Sequence, residues 1–447
     1  MEVVEYQRYK NNYKEKKVLH IANRNSLGGG IGTVIDYLDE GINKSQDFVS
    51  ETLFTSYDNK NLRPKKSTYQ KLGSKPKELD HEHLEEVIRE YDVVHIHGIP
   101  HYGIIEHLQN IQKKDGKKPK IVNTAHSSVK QEFMAHYENK KNTNDKSSRE
   151  DLASLKHLKD NNILNNPYPF ADTYWGSAIN RQEKIMTMAD SVQHMNESYK
   201  NDIIEEYLAH ENSHKHRVIP NGVKLTDEFK ERPRKKRLLY VGRFSKDKGI
   251  DELVDSLPRI FEKHPDAQIK IVGGDPNNKT IDNYKKKTEK VIKDYFKNKP
   301  GHKVKKYLSQ VEFTGWISDK EKIRDHYKWT DYLIIPSKAE SFSLTASEAL
   351  SHKRLPIMTK TKALDDLYIS KGIAFGIEPD KRHGEGIAQT VNEILDNHDS
   401  KEHDEMAEKG RQFVIENYSF EKMIENQMNA YRELFGGKNK KRKNATK

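Results

Sequence analysis

Residues 339–350, AESFSLTASEAL, hold two carboxylates, Glu340 and Glu348, separated by seven uncharged residues. The preceding DYLIIPS (331–337) is apolar on consecutive residues, as suits a strand covered on both faces. Glu340 then falls in the loop at the strand's end. A helix starting near Ser343, with Ser and Thr as caps, carries Glu348 about two turns further on. Two carboxylates so placed can address opposite ends of one ligand, and the helix N-terminal amides between them are free to bind phosphate. The plainer alternative is an amphipathic helix with one solvated glutamate.

Three other stretches carry chemistry-bearing residues at strand ends. YVGRFSKDKGIDEL (240–253) places Arg243 and Lys248 around a turn between Gly242 and Gly249, where two fixed cations can neutralise a diphosphate. NSLGGGIGTVIDYLDEGI (25–42) has three glycines, Gly28 to Gly30, at the start of a helical pattern. That cluster reads equally as a tight turn or as a phosphate cradle. It is neither a G-x-G-x-x-G fingerprint nor a P-loop with its lysine. KIVNTAHSS (120–128) delivers His126 to a crevice edge, as a sugar-hydroxyl partner or as a structural histidine. In VVHIHGIPH (93–101), His95, His97 and His101 invite a metal assignment. A buried strand under His95 and His97, with no suitably spaced carboxylate, argues against it, and no metal ligand is assigned.

The elements that must position these residues are short apolar runs alternating with amphipathic stretches. Strands are expected at 17–23, 50–56, 92–98, 119–126 and 216–222, then at 237–242, 268–274, 311–315, 331–337 and 355–360. The intervening lengths fit crossover helices. Two doubly wound α/β domains follow, joined by the polar KLTDEFKERPRKK. A long polar segment, 127–187, is read as an insertion into the first domain, the expected form of a lid, partner surface or mobile loop.

Bulk properties bound the rest. A chain of 447 residues favours two domains. Absence of cysteine excludes disulfides, thiolate zinc sites and a cysteine nucleophile. No signal peptide or membrane span is visible, so a cytoplasmic protein is expected. Net charge +11 attracts anions, and part of it sits in the C-terminal GGKNKKRKNATK, expected to be disordered, with a peripheral hold on anionic membrane as the alternative.

Taken together, the E-x7-E element, VGRFSKDKG, VIPNGV, FTGWIS, the glycine loop and the C-terminal FVIENYSFEKMIENQMNAYREL resemble the retaining glycosyltransferases of family 4. The resemblance covers nearly the whole chain and implies the GT-B fold, two Rossmann-like domains facing each other across a cleft. It implies an acceptor-side domain over 1–224 and a nucleotide-sugar domain over 225–415. A helix over 416–437 would cross back to the first domain, ahead of the tail at 438–447. By the same resemblance Gly30, Arg243 and Lys248 would bind the donor diphosphate, and Glu348 the ribose hydroxyls. Glu340 would face the donor sugar, the backbone of Phe342, Ser343 and Leu344 would line sugar and phosphate, and Ile317 would touch the nucleobase. His126 would stand near the reacting sugar. Many members have glycine where this chain has Ser341 and Ser343.

The implied activity is a retaining, metal-independent transfer of a hexose or N-acetylhexosamine from a nucleoside diphosphate sugar, UDP-sugar favoured. The hydroxyl acceptor would be a cell-envelope glycan, glycolipid or polypeptide. Neither cofactor nor metal is expected, and Glu340 is assigned to sugar binding, not to covalent chemistry. Two other classes compete. A nucleic-acid or anionic-polymer binder would exploit the charge, but no nucleic-acid-binding signature is present. A nucleotide-dependent oxidoreductase would share the fold, but the fingerprint glycines and the acidic ribose ligand are missing.

Overall fold

The computed structural model describes residues 15–23, 29–45, 47–55, 67–70, 77–79, 83–100, 102–132, 174–207, 209–226, 230–274, 280–378 and 384–436. The strands run β1 Lys16–Asn23, β2 Phe48–Thr55, β3 Ser67–Gln70, β4 Lys77–Leu79, β5 Val93–His97, β6 Lys120–Thr124, β7 Ser191–His194 and β8 His216–Val218 in the first domain. The second domain contributes β9 Arg237–Gly242, β10 Gln268–Gly273, β11 Val311–Gly315, β12 Tyr332–Ile335, β13 Leu355–Thr359 and β14 Phe375–Ile377. Five helices matter below: α1 Gly30–Asn43, α2 Ile250–Lys263, α3 Lys320–Trp329, α4 Leu344–Ser351 and α5 Phe420–Glu433.

The first sheet has the order β4-β3-β2-β1-β5-β6-β7-β8 and the second β11-β10-β9-β12-β13-β14. Pairings in both are parallel, except those of β3 with β2 and with β4, which are antiparallel. In each sheet the chain starts in the middle and winds out to both sides. Connections therefore leave in opposite directions from β1/β5 and from β9/β12, opening a crevice beyond the carboxyl ends of those strands. The segments after β1, β9 and β12 are those carrying the glycines, the Arg/Lys pair and the two glutamates.

Strand alternation explains the layering. On β1, β5 and β6, Leu19, Ile21, Val94, Ile96 and Ile121 fill one core with residues 104–111 and 178–186. The opposite face, with Val18, Val93 and Val122, packs on α1 and α5 through Val34, Leu38, Met423, Ile424, Met428 and Tyr431. The second core gathers Leu238, Tyr240, Ile269, Ile271 and Ile334 under α2.

The C-terminal helix α5 thus lies on the first domain. Four of its side chains, Met423, Ile424, Met428 and Tyr431, are at most 8% exposed, worth about 1.5–3 kcal/mol each by apolar burial. Gly41 allows the close approach of α1, since a Cβ there would lie 2.3 Å from Ile424 Cγ1. Both passages of the chain between domains run side by side: Phe420 N–H donates to Val223 O (2.9 Å) and Val223 N–H to Tyr418 O (2.8 Å).

The structure corrects the expected insertion. Tyr174–Met188 is a helix whose Ala178, Ile179, Ile185 and Met186 are buried in the first core, so it is the crossover into β7 and not part of a polar excursion. Its polar sequence misleads because Ser177, Asn180, Arg181 and Gln182 are buried too, with Arg181 Nη1 donating to Pro100 O at 2.8 Å. Residues 133–173 lie outside the described residues, as do Gly28, His101 and the basic tail from 437 on. Four strands went unanticipated: β3, β4, β7 and β14, each of three or four residues and too short for a periodic signal. Among the described residues no helix is long and apolar enough to cross a membrane.

Candidate active site

The two crevices face each other and merge into one cleft of about 1330 Å³. The ten residues that the resemblance assigns to the site all line it: Gly30, His126, Arg243, Lys248, Ile317, Glu340, Phe342, Ser343, Leu344 and Glu348. That volume exceeds a typical single-ligand pocket of roughly 300–1,000 Å³, leaving room for two substrates.

Lys248 ends a single 3-10 turn after β9. Next to it, Gly249 adopts φ +67°, and a Cβ there would stand 2.0 Å from Pro336 O. Glycine is therefore what lets the lysine loop reach the end of β12. There Lys248 Nζ donates to Glu340 Oε1 at 2.7 Å, with both side chains three-quarters or more buried. Arg243 is held differently: Tyr240 Oη donates to its carbonyl at 2.7 Å, while its side chain, 64% exposed, reaches Asp247 alone among the described residues, at 3.4 Å. One cation is thus fixed and the other is free to swing toward an anion.

Ser343 caps α4 with φ +76°, a left-handed conformation that costs a side-chain-bearing residue about 1–3 kcal/mol. Its Oγ accepts from Ala346 N–H at 3.3 Å. The first intrahelical bond runs from Ser347 N–H to Ser343 O, so the Leu344 and Thr345 amides precede it at the positive end of the helix. The backbone here holds the shape that glycine adopts freely. Gly30 opens α1 on the other wall, where a Cβ would touch Leu344 Cδ1 at 3.4 Å. Two helix N-termini thereby converge on the cleft. The ring of Phe342 is 2% exposed and packs on Tyr418, 4.9 Å between centroids, so only its backbone is available to a ligand.

Glu348 accepts from Tyr327 Oη at 2.7 Å. Burial pushes its carboxyl above the usual range, with the Tyr327 hydrogen bond and the charges of Lys320 and Arg324 pulling the other way. Tyr327 could not have been found from sequence: it sits on α3, and only packing brings it under α4. Ser341 was singled out for its type alone, yet its Oγ donates to His126 O at 2.6 Å and its carbonyl accepts from Asn196 Nδ2 at 2.8 Å. One loop residue therefore ties the two domains together across the cleft.

His126 is buried in the opposite wall, and burial lowers its pKa to about 4. His95 and His97 do project from a buried strand, as the sequence implied. The third histidine within metal-ligating distance is His20 from β1, and His101 lies outside the described residues. Burial lowers the pKa of His20, His95 and His97 as well. Below about pH 6.5 the unfolded chain protonates these histidines while the native protein does not, so stability falls as pH drops. His126 alone accounts for about 2 kcal/mol between pH 7.5 and 5. Urea midpoints should therefore decrease steadily over that range, and His126→Gln should flatten part of the decline.

Comparison with known proteins agrees with this arrangement. Residues 224–413 match the family model described as glycosyl transferases group 1. An uncharacterised glycosyltransferase of Methanocaldococcus jannaschii is 24% identical over 196 residues, 44% of this chain and 48% of that protein. The chain spans about half the length of the first curated relatives it matches, 45% to 48%. Sucrose-phosphate synthase from Thermosynechococcus elongatus superimposes with a TM-score of 0.64 at 17% identity, covering 94% of this chain and all of the other. HepE of Anabaena, solved with UDP-glucose, gives 0.58 at 13% identity, over 94% and 100%. These likenesses extend across both domains and establish the GT-B fold. The glutamate pair, the Arg/Lys loop and the capped helix all lie inside the segment, residues 224–413, that matches the glycosyl transferases group 1 model.

Proposed function

We propose that the protein transfers a hexose or N-acetylhexosamine, with retention of configuration and without a metal, from a nucleoside diphosphate sugar to a hydroxyl acceptor. The observation that carries this reading is the fixed Lys248–Glu340 pair lying beside the N-terminus of α4 in the interdomain cleft. A diphosphate leaving an anomeric carbon creates an oxocarbenium-like centre and negative charge on the departing oxygen. Stabilising that charge is the enzyme's main task. Lys248, Arg243 and the amides of two helix N-termini are positioned to do so in place of a divalent cation. Glu340, already spoken for by Lys248, suits a sugar hydroxyl better than attack on carbon. With no protein nucleophile, the acceptor hydroxyl approaches on the face the diphosphate leaves, and the leaving phosphate takes its proton.

UDP is favoured as the nucleotide, a choice supported by the UDP-glucose complex of HepE. Exposed lysines on the helices Ile281–Tyr295 and Gly301–Ser309, among them Lys285, Lys286, Lys290, Lys303 and Lys306, suit an anionic acceptor such as a cell-envelope polymer or glycolipid. They also suit a peripheral hold on anionic membrane at its cytoplasmic face.

Donor hydrolysis across a panel of UDP-, GDP- and ADP-sugars, with and without EDTA, tests the proposal. Release of UDP from one donor, unchanged by chelator, with α-configured product by NMR, is the expected result. Chelator-sensitive turnover would remove the metal-free mechanism, β-configured product would remove retention, and no turnover of any nucleotide sugar would remove the reading altogether.

A further inference from the structure

His126 is the outer end of a chain of buried imidazoles. Its Nε2 lies 3.3 Å from His97 Nδ1, and His97 Nε2 lies 2.9 Å from His20 Nδ1. Beyond, His20 Nε2 lies 3.8 Å from Asp39 Oδ1. Sheet register builds the chain: His20 pairs with His95, and His97 with Thr124, on neighbouring parallel strands. Residues two apart share a face, so His20, His95 and His97 project together toward α1 and α5. None of the three is more than 3% exposed.

A neutral imidazole has one N–H and one lone pair, so the direction of such a chain is decided at its end. Here the end is Asp39, which accepts from Ser50 Oγ at 2.7 Å and Thr52 Oγ1 at 2.5 Å. A carboxylate offers no donor and draws the N–H of the nitrogen facing it. That nitrogen, His20 Nε2, makes no hydrogen bond among the described residues, so the carboxylate 3.8 Å away acts on its proton through charge alone. His20 Nδ1 is then an acceptor for His97 Nε2–H, and His97 Nδ1 an acceptor for His126 Nε2–H. His95 stands beside the chain, stacked on His97 at 4.1 Å, with its own nitrogens bonded to Tyr431 Oη and Thr124 Oγ1, both at 2.6 Å. The groups facing the chain are therefore Asp39 from α1, His95 from β5 and Tyr431 from α5.

We infer that Asp39, His20 and His97 are positioning residues that hold His126 as its Nε2–H tautomer, leaving Nδ1 as a hydrogen-bond acceptor for a sugar or acceptor hydroxyl in the cleft. The identity of that hydroxyl rests on the transferase reading; the tautomer does not. Three buried groups reaching back to α1 thus decide what a cleft residue offers its ligand, whereas a structural histidine would need only one partner.

The test is NMR of the intact protein labelled with 15N-histidine, the His126 signals being assigned by difference against His126→Gln. The expected spectrum at neutral pH has a pyrrole-like, protonated Nε2 and a pyridine-like, bare Nδ1. Asp39→Asn, whose amide can donate to His20 Nε2, should reverse the chain and move the proton of His126 to Nδ1. Turnover number should then fall by roughly tenfold, with the donor KM within about twofold. A bare Nε2 in the wild-type spectrum overturns the inference even if Asp39→Asn does not fold. So does an Asp39→Asn protein with unchanged tautomer and turnover, or zinc retained one to one on His20 and His97 after dialysis against EDTA. Because the tautomer is read without donor, its failure leaves the transferase reading standing, and a failed donor screen leaves the tautomer measured.

Discussion

Lys248→Met is expected to lower kcat/KM for the nucleotide sugar by about 10²- to 10³-fold, the loss seen when one preorganised donor to a developing oxyanion is removed. Lys248 suits that role better than Arg243. It is three-quarters buried and already ordered against Glu340, so its charge is in place before the leaving group needs it. Its removal also leaves the Glu340 carboxylate unpaired beside the departing diphosphate, adding like-charge repulsion to the lost attraction. Arg243→Met should cost less, since the exposed guanidinium must first leave Asp247 and become ordered. Steady-state kinetics of both variants, alongside an exposed control such as Lys297→Met, measures the ranking. A Lys248→Met enzyme within threefold of wild type, with unchanged Tm, would rule out a diphosphate role.

The second large effect is on binding. Glu348→Gln should weaken UDP by roughly 10- to 100-fold, the equivalent of about 1.5–3 kcal/mol for a hydrogen bond to a charged group, and should change kcat much less. A carboxylate can accept from both hydroxyls of a ribose, and Tyr327 holds the one at 348 in place. Its pKa is raised by burial, so its proton returns at a higher pH than for an ordinary glutamate. UDP affinity in the wild type should therefore decline as pH falls, beginning above the usual carboxylate range. That decline should be missing from Glu348→Gln. Calorimetric titration of UDP at several pH values reads both effects. Equal affinity of variant and wild type at pH 8 would detach Glu348 from the nucleotide.

Both predictions concern residues that could be named from sequence, and the reason is local. Consecutive apolar residues in DYLIIPS and RLLYVG mark strands buried on both faces, and in a parallel sheet ligands gather where such strands end. Whatever follows them, Lys248 after β9 or Glu340 after β12, is placed at the crevice by chain connectivity alone. Ser343 was legible as a helix cap for the same reason, since a cap is decided within a few residues. What was not legible lay in patterns too short or too polar to register. β7 reads SVQH and β14 reads FGI, and the helix at 174–188 hides its buried stripe among polar residues that are themselves buried.

Sequence by itself determined the two doubly wound halves and the list of residues at their strand ends, because side-chain alternation and capping are written at a spacing of two to four residues. Tertiary structure alone decided who meets whom. His20 and His97, 77 positions apart, touch only because β1 and β5 pair in one register, and a slip of one residue would send either ring to the opposite face. Ser341 meets His126, 215 positions away, only because the two domains close on each other. Such contacts depend on the sum of all the packing that fixes register and domain approach, and no short stretch of residues carries that sum.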